Sequence, residues 1–121
     1  MPRSRKALGN AAERAALRFL KSSGYRPLTR NYSTPRGEID IIAVDGDTVC
    51  FVEVRARRRD EFASPQATVN RRKQARIRAA ASTYLARHGL QDRLCRFDLV
   101  SVLAGGRPDD DWQIELVRGA F

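Results

Sequence analysis

Histidine is nearly missing from this chain of 121 residues, with His88 standing alone. One histidine excludes zinc hydrolases with several His ligands, Ser-His-Asp triads and histidine-based nuclease motifs. At a helix C-terminus, His88 suits a dipole-compensating cap rather than a catalyst. Cysteine is scarce too: Cys50 and Cys95 make no secreted disulfide framework. Each sits in an apolar run, so both are expected to be buried thiols in a reducing cytoplasm. No apolar stretch approaches the ~20 residues that span a bilayer. The basic start, Met1-Pro2-Arg3-Ser4-Arg5-Lys6, lacks the apolar core of a signal peptide. Aromatics make up only 7%, and Tyr25, Tyr32 and Tyr84 are not interleaved with basic residues as a base-stacking platform requires.

Acids are the minority charge, 14 against 23 lysines and arginines, for a formal net charge of +9. That imbalance predicts attraction to nucleic acid or to an anionic membrane surface. Only Lys6, Lys21 and Lys73 are lysines. The rest of the positive charge is arginine, whose planar guanidinium meets phosphate bidentately.

The length suits one domain over residues 1–121, large enough to bury about two-thirds of its unfolded surface. Ala12, Ala15, Ala16, Phe19 and Leu20 fall at helical spacing within 5–23, and Gly24 stops that helix. Residues 25–35, with Pro27 and Pro35, are expected to be irregular. A strand over 39–44, a turn at Asp45-Gly46-Asp47 and a return strand over 48–55 form a hairpin. A charged loop, 56–67, leads to a helix over about 68–88 with Ile77, Ala80, Ala81, Tyr84 and Leu85 as its apolar stripe. Strands follow at 94–103 and 112–117, where Trp112 is expected to pack. The order α, β-hairpin, α, β, β predicts an α/β fold, a central mixed β-sheet flanked by helices.

The hairpin concentrates acids in a basic chain: Gly37-Glu38-Ile39-Asp40, then Glu53-Val54-Arg55. With Asp45-Gly46 as the two turn residues, Glu38 opposes Glu53 and Asp40 opposes Phe51. Alternation then puts Glu38, Asp40, Glu53 and Arg55 on one face. Opposed Cβ atoms lie about 4.5–5.5 Å apart, where two carboxylates repel unless protonated or bridged by a cation. Mg²⁺ takes oxygen donors, commonly one or two carboxylates with waters and substrate phosphate. Asp40 and Glu53 suit that role, and Arg55 would face the same phosphate. The bland alternative is an exposed hairpin face with weak surface ion pairs. Val49 and Phe51 share the face, however, and a partly apolar face is one where charges need a reason.

Asp, a short hairpin, then Glu-x-Lys is the PD-(D/E)xK pattern of the restriction-endonuclease-like fold. More closely, the chain resembles the YraN family of small bacterial proteins. The matching stretches are Ala12-Glu13, Gly37-Glu38-Ile39-Asp40, Phe51-Val52-Glu53-Val54-Arg55, Lys73 with Arg76-Ile77, Tyr84-Leu85 and Arg96-Phe97-Asp98. That family is similar to archaeal Holliday-junction resolvases, which cut branched DNA with Mg²⁺. The resemblance implies Asp40 and Glu53 as metal ligands, Glu13 as a third acid from the first helix and Arg55 as the motif's basic residue. One departure stands out: the pattern prefers lysine where Arg55 stands, and arginine is never a neutral base. Lys73, four residues before Ile77 on one helical stripe, would either face the hairpin and replace that lysine or stand solvated in the helix's first turn.

Arg57-Arg58-Arg59 and Arg71-Arg72-Lys73 bracket the charged loop, and with Arg76 they form a candidate grip on a phosphate backbone. Basic residues at a helix N-terminus oppose its dipole, a cost that suggests a use. Asp109-Asp110-Asp111 is a weaker metal candidate, a loop charge run. The expected function is a cytoplasmic Mg²⁺- or Mn²⁺-dependent endonuclease acting on branched or structured DNA, with no membrane partner. A homodimer would suit cutting two strands. The alternatives are a nuclease scaffold that binds nucleic acid without cutting it, or a scaffold subunit whose basic face binds an acidic protein.

Overall fold

The computed structural model describes residues 5–58, 69–104 and 112–121. Its elements are α1 (Arg5–Ser22), β1 (Arg26–Thr34), β2 (Gly37–Asp45), β3 (Thr48–Arg58), α2 (Arg71–Arg87), β4 (Leu94–Ala104) and β5 (Gln113–Val117). They form an α/β fold with one five-stranded sheet in the order β1-β2-β3-β4-β5. Neighbours run antiparallel except β3 and β4, which are parallel, so the sheet is mixed as expected. Parallel neighbours need a crossover, and α2 lies in the connection between them. No helix among the described residues is long and apolar enough to cross a membrane.

Each helix covers one face of the sheet. On one side Ala12, Ala16 and Leu20 of α1 pack with Tyr25, Ile41, Ala43, Cys50, Val52, Val100 and Val102. Trp112 is partly buried against that cluster, as expected of it. On the other side Ile77, Ala80, Ala81 and Tyr84 of α2 pack with Ile39, Ile42, Val49, Phe51 and Leu99. α1 contributes mainly small residues to its side, Ala12 and Ala16, while α2 contributes the larger Ile77 and Tyr84. Asn70 caps α2 by accepting from the Lys73 backbone N–H at 2.8 Å. His88 ends the helix, with Nδ1 2.9 Å from the Tyr84 carbonyl oxygen.

Three expectations are corrected. Residues 26–34 are not irregular but an edge strand, β1. The hairpin pairs Asp45 with Thr48, so its turn residues are Gly46 and Asp47. Gly46 holds φ +62° at the first turn position, where a mirror-image turn demands glycine. Ile42 therefore faces Phe51, and Asp40 and Glu53 come level with each other one step beyond the Ile41–Val52 pair. Glu38 sits exposed on the arm paired with Ser33, away from Glu53. Finally, Cys50 is buried but Cys95 is exposed. The start of β4 runs out past its packing, leaving the adjoining Leu94 69% exposed.

Candidate metal centre

Strand alternation breaks at Asp40. Ile39 belongs to the core beneath α2, whereas Ile41 belongs to the core beneath α1, although residues two apart normally share a face. The opposite strand is irregular at the same level: Asn31, between the Arg30–Ile41 and Tyr32–Ile39 pairs, has φ +52°. Asparagine tolerates this left-handed conformation better than most residues. The break turns the Asp40 side chain into the gap between β2 and β3. There Oδ2 accepts the Val54 backbone N–H at 2.8 Å, replacing a bond of the sheet ladder.

Glu53 is only 4% exposed, on the α2 side of β3. Its Oε2 lies 2.5 Å from Lys73 Nζ. Lys73 therefore faces the hairpin from the first turn of α2, one turn before Ile77, where the buried stripe begins. Arg55 and Arg57 follow Glu53 at alternate positions of β3, and both are half-buried. Glu13 approaches Asp40 from α1. Asn31 and Arg30 lie near it, while its Oε1 is buried with no hydrogen-bond partner.

The acids feel one another. Burial, then the hydrogen bond and charge of Glu53, push Asp40 up to about 7, against the relief given by Val54 N–H and Lys73. Glu13 is raised too, by burial first and by Asp40 second. Among the described residues no three His, Cys, Asp or Glu side chains stand close enough to share one ion. The donor set is thus Asp40 with Glu53, and Glu13 beyond them. It is all oxygen, the chemistry of hard divalent cations rather than of zinc or copper sites.

Of the arginines considered for backbone contact, Arg71, Arg72 and Arg76 are exposed along α2. Arg59, the Arg58 side chain and Asp109-Asp110-Asp111 lie outside the described residues. Asn31 and Arg30 were not expected here, because no sequence signal marks an asparagine that will adopt a positive φ. In the sequence Gly37 stands out only as part of the Gly37-Glu38-Ile39-Asp40 motif. It is buried, and a Cβ built on it would overlap the Arg76 carbonyl oxygen, so it lets α2 come down on β2.

Residues 12–102 match the uncharacterised protein family UPF0102. The chain belongs to that family. A UPF0102 protein of Moorella thermoacetica is 44% identical over the full length of both chains. Another, from Desulfosudis oleivorans, is 46% identical over all of this chain and 94% of its own. One from Symbiobacterium thermophilum is 45% identical over 94% of this chain and 95% of its own. This UPF0102 member agrees with the YraN resemblance drawn from its motifs. The matched span takes in Glu13, Asp40, Glu53, Arg55 and Lys73 together.

Proposed function

We propose that this protein is a metal-dependent endonuclease of the restriction-endonuclease-like kind, acting on branched or structured DNA. The observation that carries the reading is the meeting of Asp40, Glu53 and Lys73. Two acids from adjacent strands come level beside a broken ladder, and a lysine from a helix supplies the cation that Arg55 replaces in the PD-(D/E)xK pattern. A five-stranded mixed sheet between two helices is compatible with that fold.

Asp40 and Glu53 would hold Mg²⁺ or Mn²⁺. The residues fit such an ion: the carboxylates are crowded enough to keep a proton on Asp40 near neutral pH, and the nearby Glu13 Oε1 is buried and unpartnered. Held by these carboxylates, a divalent ion would supply Lewis acidity for a phosphoryl oxygen and for an attacking water. The chain's own residues do the rest. Val54 N–H orients Asp40, Lys73 orients Glu53 and adds positive charge beside the scissile phosphate, and Arg55 binds that phosphate. Glu13 holds negative charge behind Asp40. The exposed arginines of α2 attract the backbone without reading bases.

The second reading is binding without cleavage, and the half-buried Arg55 favours it. A guanidinium holds phosphate but cannot take a proton from water. One experiment decides between them. Purified protein is incubated with four-way junctions, flaps and plasmid in Mg²⁺ or Mn²⁺, beside Asp40→Asn and Glu53→Gln. Metal-dependent cleavage, reduced at least a hundredfold in both variants, is the expected result. Binding with no cleavage in either metal assigns the second reading. No binding even at low salt sinks both.

A further inference from the structure

The turn between β1 and β2 lies against the C-terminal half of α2. Between them is a cavity of about 240 Å³, lined by Ser33, Thr34, Pro35, Arg36, Thr83 and Arg87. Pockets for drug-sized ligands begin near ~300 Å³, so this one suits a smaller group. Its lining has two guanidiniums and three hydroxyls but no carboxylate. Among the described residues neither Arg36 nor Arg87 is ion-paired, unlike Lys73, Arg96 and Arg118.

The hydroxyls divide into those already used and one that is not. Thr34 Oγ1 accepts from the Arg36 and Gly37 backbone N–H groups, at 3.1 Å each, and donates to the Gly37 carbonyl. That local turn fixes where Arg36 projects. Thr83 Oγ1 donates to the Ala79 carbonyl at 3.2 Å. Ser33 Oγ and both guanidiniums have no partner among the described residues, so their donors are available to one anion.

The cavity is in line with the acid site. Lys73, Arg76, Thr83 and Arg87 recur at spacings of three, seven and four, which keeps them on one side of a helix. From Lys73 to the Thr83–Arg87 segment α2 rises roughly 15–21 Å at 1.5 Å per residue. A duplex strand carries one phosphate per about 3.4 Å of axis, so that rise spans roughly four to six nucleotides.

We infer that this cavity is a second phosphate subsite, holding a backbone phosphate of the strand whose scissile phosphate lies at Asp40 and Glu53. The inference rests on the nuclease-like reading above and extends it by naming where the strand runs: from the acid pair along α2 to the β1–β2 turn. Fork-shaped donors from two elements suit a phosphodiester, whose two non-bridging oxygens share one negative charge.

The test uses the full chain, the Arg36→Ser/Arg87→Ser double variant and the Arg36→Lys/Arg87→Lys double variant. Binding to a labelled four-way junction and a matched duplex is followed by anisotropy from 50 to 200 mM salt. The serine variant is expected to bind about tenfold more weakly at the low-salt end, and its log–log salt slope to shrink by about 0.9, the value of one phosphate contact. Lysines supply the point charge without the fork, so they restore the slope while recovering only part of the affinity. In parallel, inorganic phosphate is titrated against ¹⁵N-labelled protein. Ser33 and Thr83 amides are expected to shift in the wild type and to stay still in the serine variant.

If the wild type binds DNA but the serine variant keeps its slope, the subsite is overturned while the metal-centre reading stands. Phosphate shifts without a slope change would assign the cavity to a free anion and equally overturn it. A wild type that binds no nucleic acid at 50 mM salt removes the underlying reading, and the subsite with it.

Discussion

Asp40 is the residue on which the proposed chemistry turns, and its proton is measurable without any substrate. An unfolded aspartate titrates near 3.9, whereas burial and Glu53 push this one up to about 7. Between those values the native state keeps a proton that the unfolded chain has lost. The metal-free protein should therefore lose stability as pH rises from about 4 to about 7, and level off above. Asp40→Asn removes the titration, and its Oδ1 can still accept the Val54 N–H. The variant is expected to exceed the wild type in stability by about 1–3 kcal/mol at pH 8, with the gap closing towards pH 4. Urea melts at four pH values check this, and a gap that does not change with pH would refute it. Millimolar Mg²⁺ should then stabilise the wild type at pH 8 and leave Asp40→Asn nearly unmoved, because only a native state with its acid pair intact gains from the ion.

The contact between α2 and β2 sets the geometry that Asp40 and Glu53 depend on. A Cβ on Gly37 would overlap the Arg76 carbonyl oxygen and lie 2.8 Å from its carbonyl carbon, and backbone cannot swing aside as a side chain can. Gly37→Ala should cost about 1–3 kcal/mol by overpacking and lift the helix, drawing Lys73 away from Glu53. Gly46→Ala is the control. It meets nothing within 4 Å but strains a φ of +62°, at a comparable cost of about 1–2 kcal/mol. Both variants should melt lower, but only Gly37→Ala should lose metal-dependent cleavage by more than tenfold in the folded protein. Equal losses would mean that helix placement does not matter. The same elements show what can be read from sequence. Both helices and the strands over 39–44, 48–55, 94–103 and 112–117 follow from periodicity, because each buries an apolar stripe or face. β1 hid because it is an edge strand: Pro27, Asn31 and an alternation of half-buried with exposed positions look like loop. The hairpin was two residues out of register since Asp-Gly and Gly-Asp both make tight turns. A shift of two changes partners but not faces, so Asp40 and Glu53 stayed together while Glu38 left. The break at Asp40 and the positive φ of Asn31 depend on neighbours across the sheet and leave no local mark.

The whole sheet carries two clusters of charge. Glu53 on the α2 side, Asp40 in the β2–β3 gap and Glu13 from α1 make up the acid site, with Glu13 Oε1 unpartnered. On the α1 side Asp98 is fully buried and fully used. Its Oδ1 accepts from Arg96 Nε at 2.8 Å and from the Gly119 backbone N–H at 2.9 Å. Its Oδ2 accepts from Tyr25 O–H at 2.7 Å and from the Arg96 guanidinium at 3.1 Å. Arg96 also donates to Asp45 at 2.8 Å, at the end of β2. The network therefore ties β4, the start of β1, the β2–β3 turn and the segment after β5. It raises Tyr25 to about 12, through burial first and Asp98 second, and holds Arg96 charged. Arg96-Phe97-Asp98 had stood out only as a matching stretch. Asp98, accepting four hydrogen bonds, has no lone pair left for a metal or substrate, so its contribution is to stability. Asp98→Ala leaves a part-buried guanidinium short of its partner and should cost about 3–5 kcal/mol, a large share of the ~5–15 kcal/mol that holds a domain together. Arg96→Met alone should cost a similar amount. The Arg96→Met/Asp98→Leu pair should cost markedly less than the sum of the two single losses, because no charge is then stranded. Denaturant midpoints for the cycle measure the coupling, and strict additivity would show that the four elements are not joined there. DNA affinity per folded molecule should survive in the double variant, since among the described residues no member of the network touches Asp40, Glu53 or Lys73.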